Sequence, residues 1–345
     1  MTIPVENLYY LLCYAWDCVD EGDSVAAGVE DCPAVADMLA HVLSRGVDTL
    51  IRRGISHGYQ ERNEVLRTVR GRINTMATAT SGLMRQGLIA CDFEEFVRDT
   101  PENRVLRATL ERLHRIPTLD RYVKQRTAAT IERMWGISPI RLDATSFRSI
   151  QLHRASGLYG FLLQICRLVL RLLLPDEREG STRLRDLLQD EDAMARVFQA
   201  FLLNFFRRHR PTWRPRAEVI DWQAEALAPD RAADLAALPR METDLTLFPP
   251  GRLIIADAKY YREALASKWQ GIPKARSGHL YQLSAYLSHR VEQDSREVQG
   301  MLIYPDTTGR IDLGFRLLGR EVRLRTLNLD QPWQAIERDA LALVD

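Results

Sequence analysis

Apolar and polar positions recur along this chain with two different periods, and the changes between them mark its elements. Residues 2–19 carry Ile3, Leu8, Leu11, Leu12 and Trp16 at helical spacing, and residues 34–52 repeat that period. From about 55 to 98, Gly54, Gly58, Gly71, Gly82 and Gly87 break the chain into short pieces. Two of these, Val65–Ile73 and Leu88–Phe93, read as strands. Thr100 before Pro101 suits an N-cap followed by proline at the first helical position, so helices are predicted over 101–115 and 119–135. Pro139 and the polar stretch after Leu142 place a domain boundary near 145. Beyond it the pattern predicts a helix over 155–174, a polar loop Pro175–Ser181 and a helix over 191–208. A hairpin over 241–261, a helix over 277–291, a strand Gly300–Pro305 and two strand-like runs within 310–328 follow. The order is that of an α/β (α+β) protein: a mixed helix and strand N-terminal domain over 1–145, then a domain over 146–345 with a mixed central sheet flanked by helices.

The hairpin carries the chemistry. Two apolar runs flank Pro249-Pro250-Gly251, the first bearing Asp244 and the second Asp257 and Lys259. Residues two apart on a strand share a face, so Asp257 and Lys259 point the same way. A strand as apolar as Leu253-Ile-Ile-Ala256 should be buried, where an acid and a lysine are costly unless partnered. An ordinary ion pair at a strand end is one reading. Two carboxylates converging on a divalent metal beside a lysine is the other, and it supplies the parts for phosphodiester cleavage. On the next predicted helix Gln282 and Tyr286, four apart, share a face that suits water or a DNA phosphate.

Composition sharpens and limits this picture. Of 47 basic residues only Lys124, Lys259, Lys268 and Lys274 are lysine, so a chain that otherwise uses arginine keeps a compact ammonium beside Asp257. The net charge of +1 gives no global basic field, and any DNA surface must be local. The densest basic run, Arg207 to Arg216, offers Arg207, Arg208, Arg210 and the aromatic Trp213 to phosphates. It reads equally as cations complementing a helix C-terminus. In the N-terminal half Arg67, Arg70, Arg72 and Arg85 lie among strands without paired acids, which suits binding a partner better than catalysis. Five scattered cysteines, no charged leader and Arg167 and Arg171 inside the most apolar helix point to a soluble cytoplasmic protein without a membrane partner. No histidine pair has zinc spacing and no phosphate-binding GxxxxGK[ST] loop occurs.

Asp244, Asp257-Ala-Lys259, Gln282 and Tyr286 together resemble the PD-(D/E)XK nuclease superfamily, in its branch with a QxxxY helix. Further segments are similar to the McrC family, nuclease subunits of McrBC modified-cytosine restriction systems. These are Ile3–Trp16, Val69–Ile73, Glu102–Leu106, Leu238–Asp244, Ala256–Tyr261, His279–Gln282 and Leu302–Pro305. The resemblance implies a Mg²⁺-dependent endonuclease with Asp244, Asp257 and the Ala258 carbonyl as ligands and Lys259 positioning or deprotonating water. It also implies that the N-terminal domain docks on a hexameric AAA+ GTPase of McrB type, stimulates it, and acts with it on double-stranded DNA bearing modified cytosine in antiphage defence. Two positions depart from the pattern. Thr243 replaces the proline of the superfamily name, and Gln199 stands where the first helix often carries glutamate, with Glu242 as a substitute acid. Gln199 favours a rival reading, a non-catalytic GTPase-activating adaptor; a stand-alone DNA-repair nuclease is another.

Overall fold

The computed structural model describes residues 3–150, 157–175, 182–184, 187–260, 276–291, 296–306 and 311–345. Packing divides the chain into two compact units, residues 1–35 with 186–345, and residues 36–185. The division expected near 145 therefore does not coincide with the compact units. The reason is long-range packing of the first helices, α1 (Val5–Ala15) and α2 (Val19–Asp23). Asn204 Nδ2 donates to the carbonyls of Tyr14 and Ala15 at 3.0 and 3.2 Å, and Asn7 Nδ2 donates to Leu329 O at 2.9 Å. Tyr14 packs edge-on against Phe201. The N-terminus thus completes the core of the C-terminal half.

The unit of residues 36–185 contains α3 (Val35–Arg53), β1 (Gly58–Leu66), β2 (Arg72–Ile73), α4 (Thr75–Thr80), β3 (Ile89–Val97), α5 (Pro101–His114), α6 (Arg121–Arg133), α7 (Gly157–Leu172), β4 (Leu173–Pro175) and β5 (Thr182–Leu184). Leu39, Leu43, Leu110, Phe161 and Ile165 are buried in its helices, each worth roughly 1.5–3 kcal/mol relative to exposure. Thr100 Oγ1 accepts from Asn103 N, the cap that the Thr-Pro pair announced. The predicted strand Val65–Ile73 is instead the end of β1, a bend, and β2. Both strands pair antiparallel with β3, which lies between them. Gly71 makes the return possible: its φ is +67°, and a Cβ there would meet Asp92 O at 2.6 Å. This small sheet is poorly covered, for Tyr59 is 74% exposed and Phe96 60%.

The other unit continues through α8 (Glu191–His209), β6 (Val219–Ile220), β7 (Met241–Glu242), β8 (Leu245–Leu247), β9 (Arg252–Ala258), α9 (Ser277–Val291), β10 (Glu297–Asp306), β11 (Asp312–Leu317), β12 (Arg320–Asn328) and α10 (Trp333–Ala342). Its five-stranded sheet runs β11-β12-β10-β9-β8, with β9, β10 and β12 mutually parallel and both edges antiparallel. Such a mixed sheet matches the expected α/β class. The parallel centre must be covered on both faces, which explains why β9 is an almost unbroken apolar run. Leu283 and Leu287 of α9 pack on Leu253, Ile255 and Leu302. The expected hairpin turn is present, with Arg252 N donating to Pro249 O at 3.3 Å and Gly251 at φ +76°, where only glycine is unstrained. Helix α10 had no counterpart in the sequence pattern. The predicted loop over Pro175–Ser181, and Tyr261, Lys268 and Lys274, lie wholly or mainly outside the described residues. No described helix is long and apolar enough to cross a membrane, and all five cysteines are free thiols.

Candidate active site

The first arm of the hairpin changes partners where the chemistry begins. β7 pairs with β6, whereas β8 pairs with β9, and Thr243 and Asp244 form the break between them. Thr243 holds that break. Its N–H donates to Glu218 O at 2.9 Å, and its hydroxyl accepts from Glu218 N at 3.0 Å and lies 2.8 Å from Thr246 Oγ1. Proline has no N–H to make the first of these bonds, so the threonine supplies the local geometry by another route.

Leu245 opposes Ala256 in the β8–β9 ladder, so one step outward Asp244 comes level with Asp257. The Ala258 N–H donates to Asp244 Oδ2 at 2.8 Å, tying the bend to the end of β9. Asp257 is 0% exposed, and neither of its oxygens accepts a hydrogen bond. Among the described residues its close cation is Lys259, whose Nζ lies 2.9 Å from Oδ2. Two acids so placed are hard to ionise together. Burial and the neighbouring Asp257 push the Asp244 carboxyl up to about 7. Burial also raises Asp257, against the pull of Lys259.

Lys259 is held from the other side by α9. Its Nζ donates to Gln282 Oε1 at 2.8 Å, Gln282 Nε2 donates to Tyr286 Oη at 2.6 Å, and Tyr286 Oη donates to Glu242 O at 2.7 Å. Burial pushes the Tyr286 phenol up to about 12, so it remains a donor at neutral pH. The i, i+4 pair therefore braces the lysine and anchors the helix to β7. Near the start of the same helix His279 Nδ1 lies 2.8 Å from Tyr304 Oη. Burial, Lys259 and Arg276 push this imidazole down to about 4, which keeps it neutral.

Gln199 of α8 also reaches the site, its Nε2 lying 3.2 Å from Asp244 Oδ2 and 3.4 Å from Ala258 O. It thus occupies the place expected for the acid of the first helix. Glu242 does not replace that acid, because its side chain turns outward to Arg240 at 3.3 Å. Among the described residues no cluster of three or more His, Cys, Asp or Glu could hold a metal. The donors are two carboxylates and the Ala258 carbonyl. That set suits Mg²⁺, which typically takes one or two carboxylates and completes its shell with water and phosphate oxygens. The buried Asp257 oxygens, lacking hydrogen-bond donors, are what such an ion would satisfy.

Arg207 is turned inward, donating to Pro215 O at 3.3 Å and Asn204 Oδ1 at 3.1 Å. Arg208 pairs with Asp20 at 2.6 Å, and Arg210 lies over the Trp213 ring at 5.5 Å. Arg67, Arg70, Arg72 and Arg85 are all exposed on the small sheet and its turns, with Arg70 also over the Phe93 ring at 4.1 Å.

The raised Asp244 gives a stability test. A carboxyl whose folded pKa exceeds its unfolded value binds more protons when folded. Stability contributed by that proton is complete below about pH 4 and is lost as the pH rises through about 7. In EDTA, Asp244→Asn is therefore expected to melt at a higher temperature than the natural chain at pH 8, and at nearly the same temperature at pH 4. Equal melting temperatures at both pH values would refute the strained carboxyl pair.

Comparison with known proteins follows the same lines. The family described as McrBC 5-methylcytosine restriction system component matches residues 6–305. The chain is 30% identical over 345 residues to the Type IV methyl-directed restriction enzyme EcoKMcrBC of Escherichia coli (strain K12), spanning 99% of this chain and 97% of that protein. It superposes at TM-score 0.62 and 15% identity on a chain from the refined half-complex of a tetradecameric assembly of Thermococcus gammatolerans McrB AAA+ hexamers with bound McrC. That match covers 99% of this chain and 76% of the other.

Proposed function

This chain belongs to the McrBC family of 5-methylcytosine restriction system components, and we propose that it is the system's DNA-cutting subunit, a Mg²⁺-dependent endonuclease of PD-(D/E)XK type. The observation that carries this reading is Asp257. A fully buried carboxylate without hydrogen-bond donors, level with Asp244 and 2.9 Å from Lys259, is a poor structural element and a good metal ligand. Asp244, Asp257 and the Ala258 carbonyl would hold the ion. Mg²⁺ supplies positive charge that polarises a phosphoryl oxygen and lowers the pKa of water. Lys259 donates to Gln282 and is ion-paired with Asp257, which fixes the direction in which its ammonium faces the attacking water or the reacting phosphate. Its charge offsets the negative charge that develops on the phosphate. Gln282 and Tyr286 keep the lysine in place.

We place the partner surface on the β1–β3–β2 sheet and its turns. Exposed Tyr59, Val65, Val69, Met76, Met84 and Phe96 stand there among Arg67, Arg70, Arg72 and Arg85, a mixture typical of protein interfaces. The likeness to an McrC bound to McrB AAA+ hexamers supports an AAA+ GTPase as the partner, and the family's description supports DNA bearing modified cytosine as the substrate. The double variant Tyr59→Ser/Phe96→Ser is expected to fold, because exposed positions change stability by only about 0.5 kcal/mol. It should lose about tenfold or more of the GTPase stimulation. Full stimulation by that variant would move the partner surface elsewhere.

The activity itself is tested with the purified full chain, methylated duplex DNA and Mg²⁺, with and without the partner and GTP. Cutting that needs both is the expected result. Cutting by the chain alone would indicate a stand-alone nuclease, and stimulation without cutting would indicate an adaptor.

A further inference from the structure

Arg196 lies on α8 one turn before Gln199, so the two side chains share a helix face. A cleft of about 410 Å³ opens on that face, walled by Arg196, Gln199 and Leu203 from α8 and by Glu242, Thr243 and Asp244 from the broken strand. Arg196 is the one lysine or arginine among the described residues on these walls. It is exposed, and among the described residues it makes no ion pair or hydrogen bond. Within the 207–216 run, by contrast, Arg207, Arg208 and Arg216 are engaged with protein oxygens. Glu242, an acid at the cleft's rim, is paired with Arg240.

We infer that this cleft carries the DNA strand being cut and that Arg196 holds a backbone phosphate next to the scissile one. The inference rests on the nuclease reading above. Each nucleotide advances a strand by about 3.4 Å along the duplex axis. One helical turn is about 5.4 Å, so a cation one turn from the side chain that touches Asp244 is placed for a phosphate one or two nucleotides away. The guanidinium is permanently charged and its planar fork matches phosphate oxygens. A contact of this kind fixes the position of the strand and reads no base. Arg196 is accordingly a positioning residue. The metal ligands and Lys259 act on the reaction itself.

The test is cleavage of methylated duplex DNA by the full chain in complex with its AAA+ partner, with the half-saturating DNA concentration measured at several salt concentrations. Arg196→Ala should raise KM roughly tenfold, keep kcat within about twofold, and lower the salt dependence by about 0.9 in log–log slope, the value for one duplex phosphate. Arg196→Lys should restore most of the affinity and Arg196→Glu should weaken it further, with melting temperatures unchanged throughout. If the natural complex cuts while Arg196→Ala and Arg196→Glu match it in KM and salt slope, the inference fails and the nuclease reading stands. A fall in kcat at unchanged KM would also overturn it. A natural complex that cuts nothing removes the nuclease reading, and this inference with it.

Discussion

Asp257→Ala is expected to abolish DNA cleavage while leaving stimulation of the GTPase intact. The side chain is fully buried on the central parallel strands, where its only role supported by geometry is to face Asp244 and Lys259. Loss of a single electrostatic stabiliser typically slows a reaction by about 10²–10³. Here the loss removes one of the two carboxylates that the described residues offer the ion, so the effect should lie at or beyond that range. Asp244→Ala should behave alike. Asp244→Ala should not unfold the chain, because it removes a carboxyl that burial already holds above its ordinary pKa, whereas Asp257→Ala also leaves Lys259 without its partner and is assayed below its lowered melting temperature. Gel-resolved cleavage and GTP hydrolysis measured on the same complex separate the two functions. Cutting at near-natural rate by either variant would remove this hairpin as the active site.

Lys259→Ala carries the second large effect, and it has two components. Cleavage should fall by roughly 10²–10³ through loss of the cation beside the reacting phosphate. Stability should fall as well, since removing one partner of a buried pair typically costs about 3–5 kcal/mol. The components can be separated. In Asp257→Asn/Lys259→Met neither member of this pair is left as a lone charge, so the melting temperature should recover while cleavage stays absent. If Lys259→Ala melts like the natural chain and still cuts, the lysine is neither the counter-ion of Asp257 nor part of the chemistry.

The parts of this site that were legible in the sequence are those set by short periodicities. Strand alternation places Asp257 and Lys259 on one face, and helical spacing places Gln282 and Tyr286 on another. The structure brings the two faces together through the 2.8 Å bond from Lys259 to Gln282. What the pattern missed depends on distant partners. Whether an arginine is available or engaged is decided by residues such as Asp20, which lies 188 positions from Arg208. From the sequence the run 207–216 therefore reads either as a phosphate grip or as the cationic end of a helix, and Arg196 carries no local signal. The same holds for α1: its apolar period predicts a helix, but long-range contacts such as the bonds from Asn204 to its C-terminal carbonyls show which half of the chain it serves.

The break in the first hairpin arm was hidden for a different reason. Met241 to Phe248 has the composition of one strand. The exchange of partners at Thr243 is set by a threonine that bonds to Glu218 through both backbone and side chain, which no local periodicity encodes. That break puts Asp244 level with Asp257 and opens the cleft beside it.

The most direct test of the central claim is the anomalous scattering of Mn²⁺, used in place of Mg²⁺, in crystals of the full chain. The account predicts a peak within coordination distance of Asp244, Asp257 and the Ala258 carbonyl in the natural protein, and its loss in Asp257→Ala. A peak elsewhere, or none at saturating Mn²⁺, would contradict it.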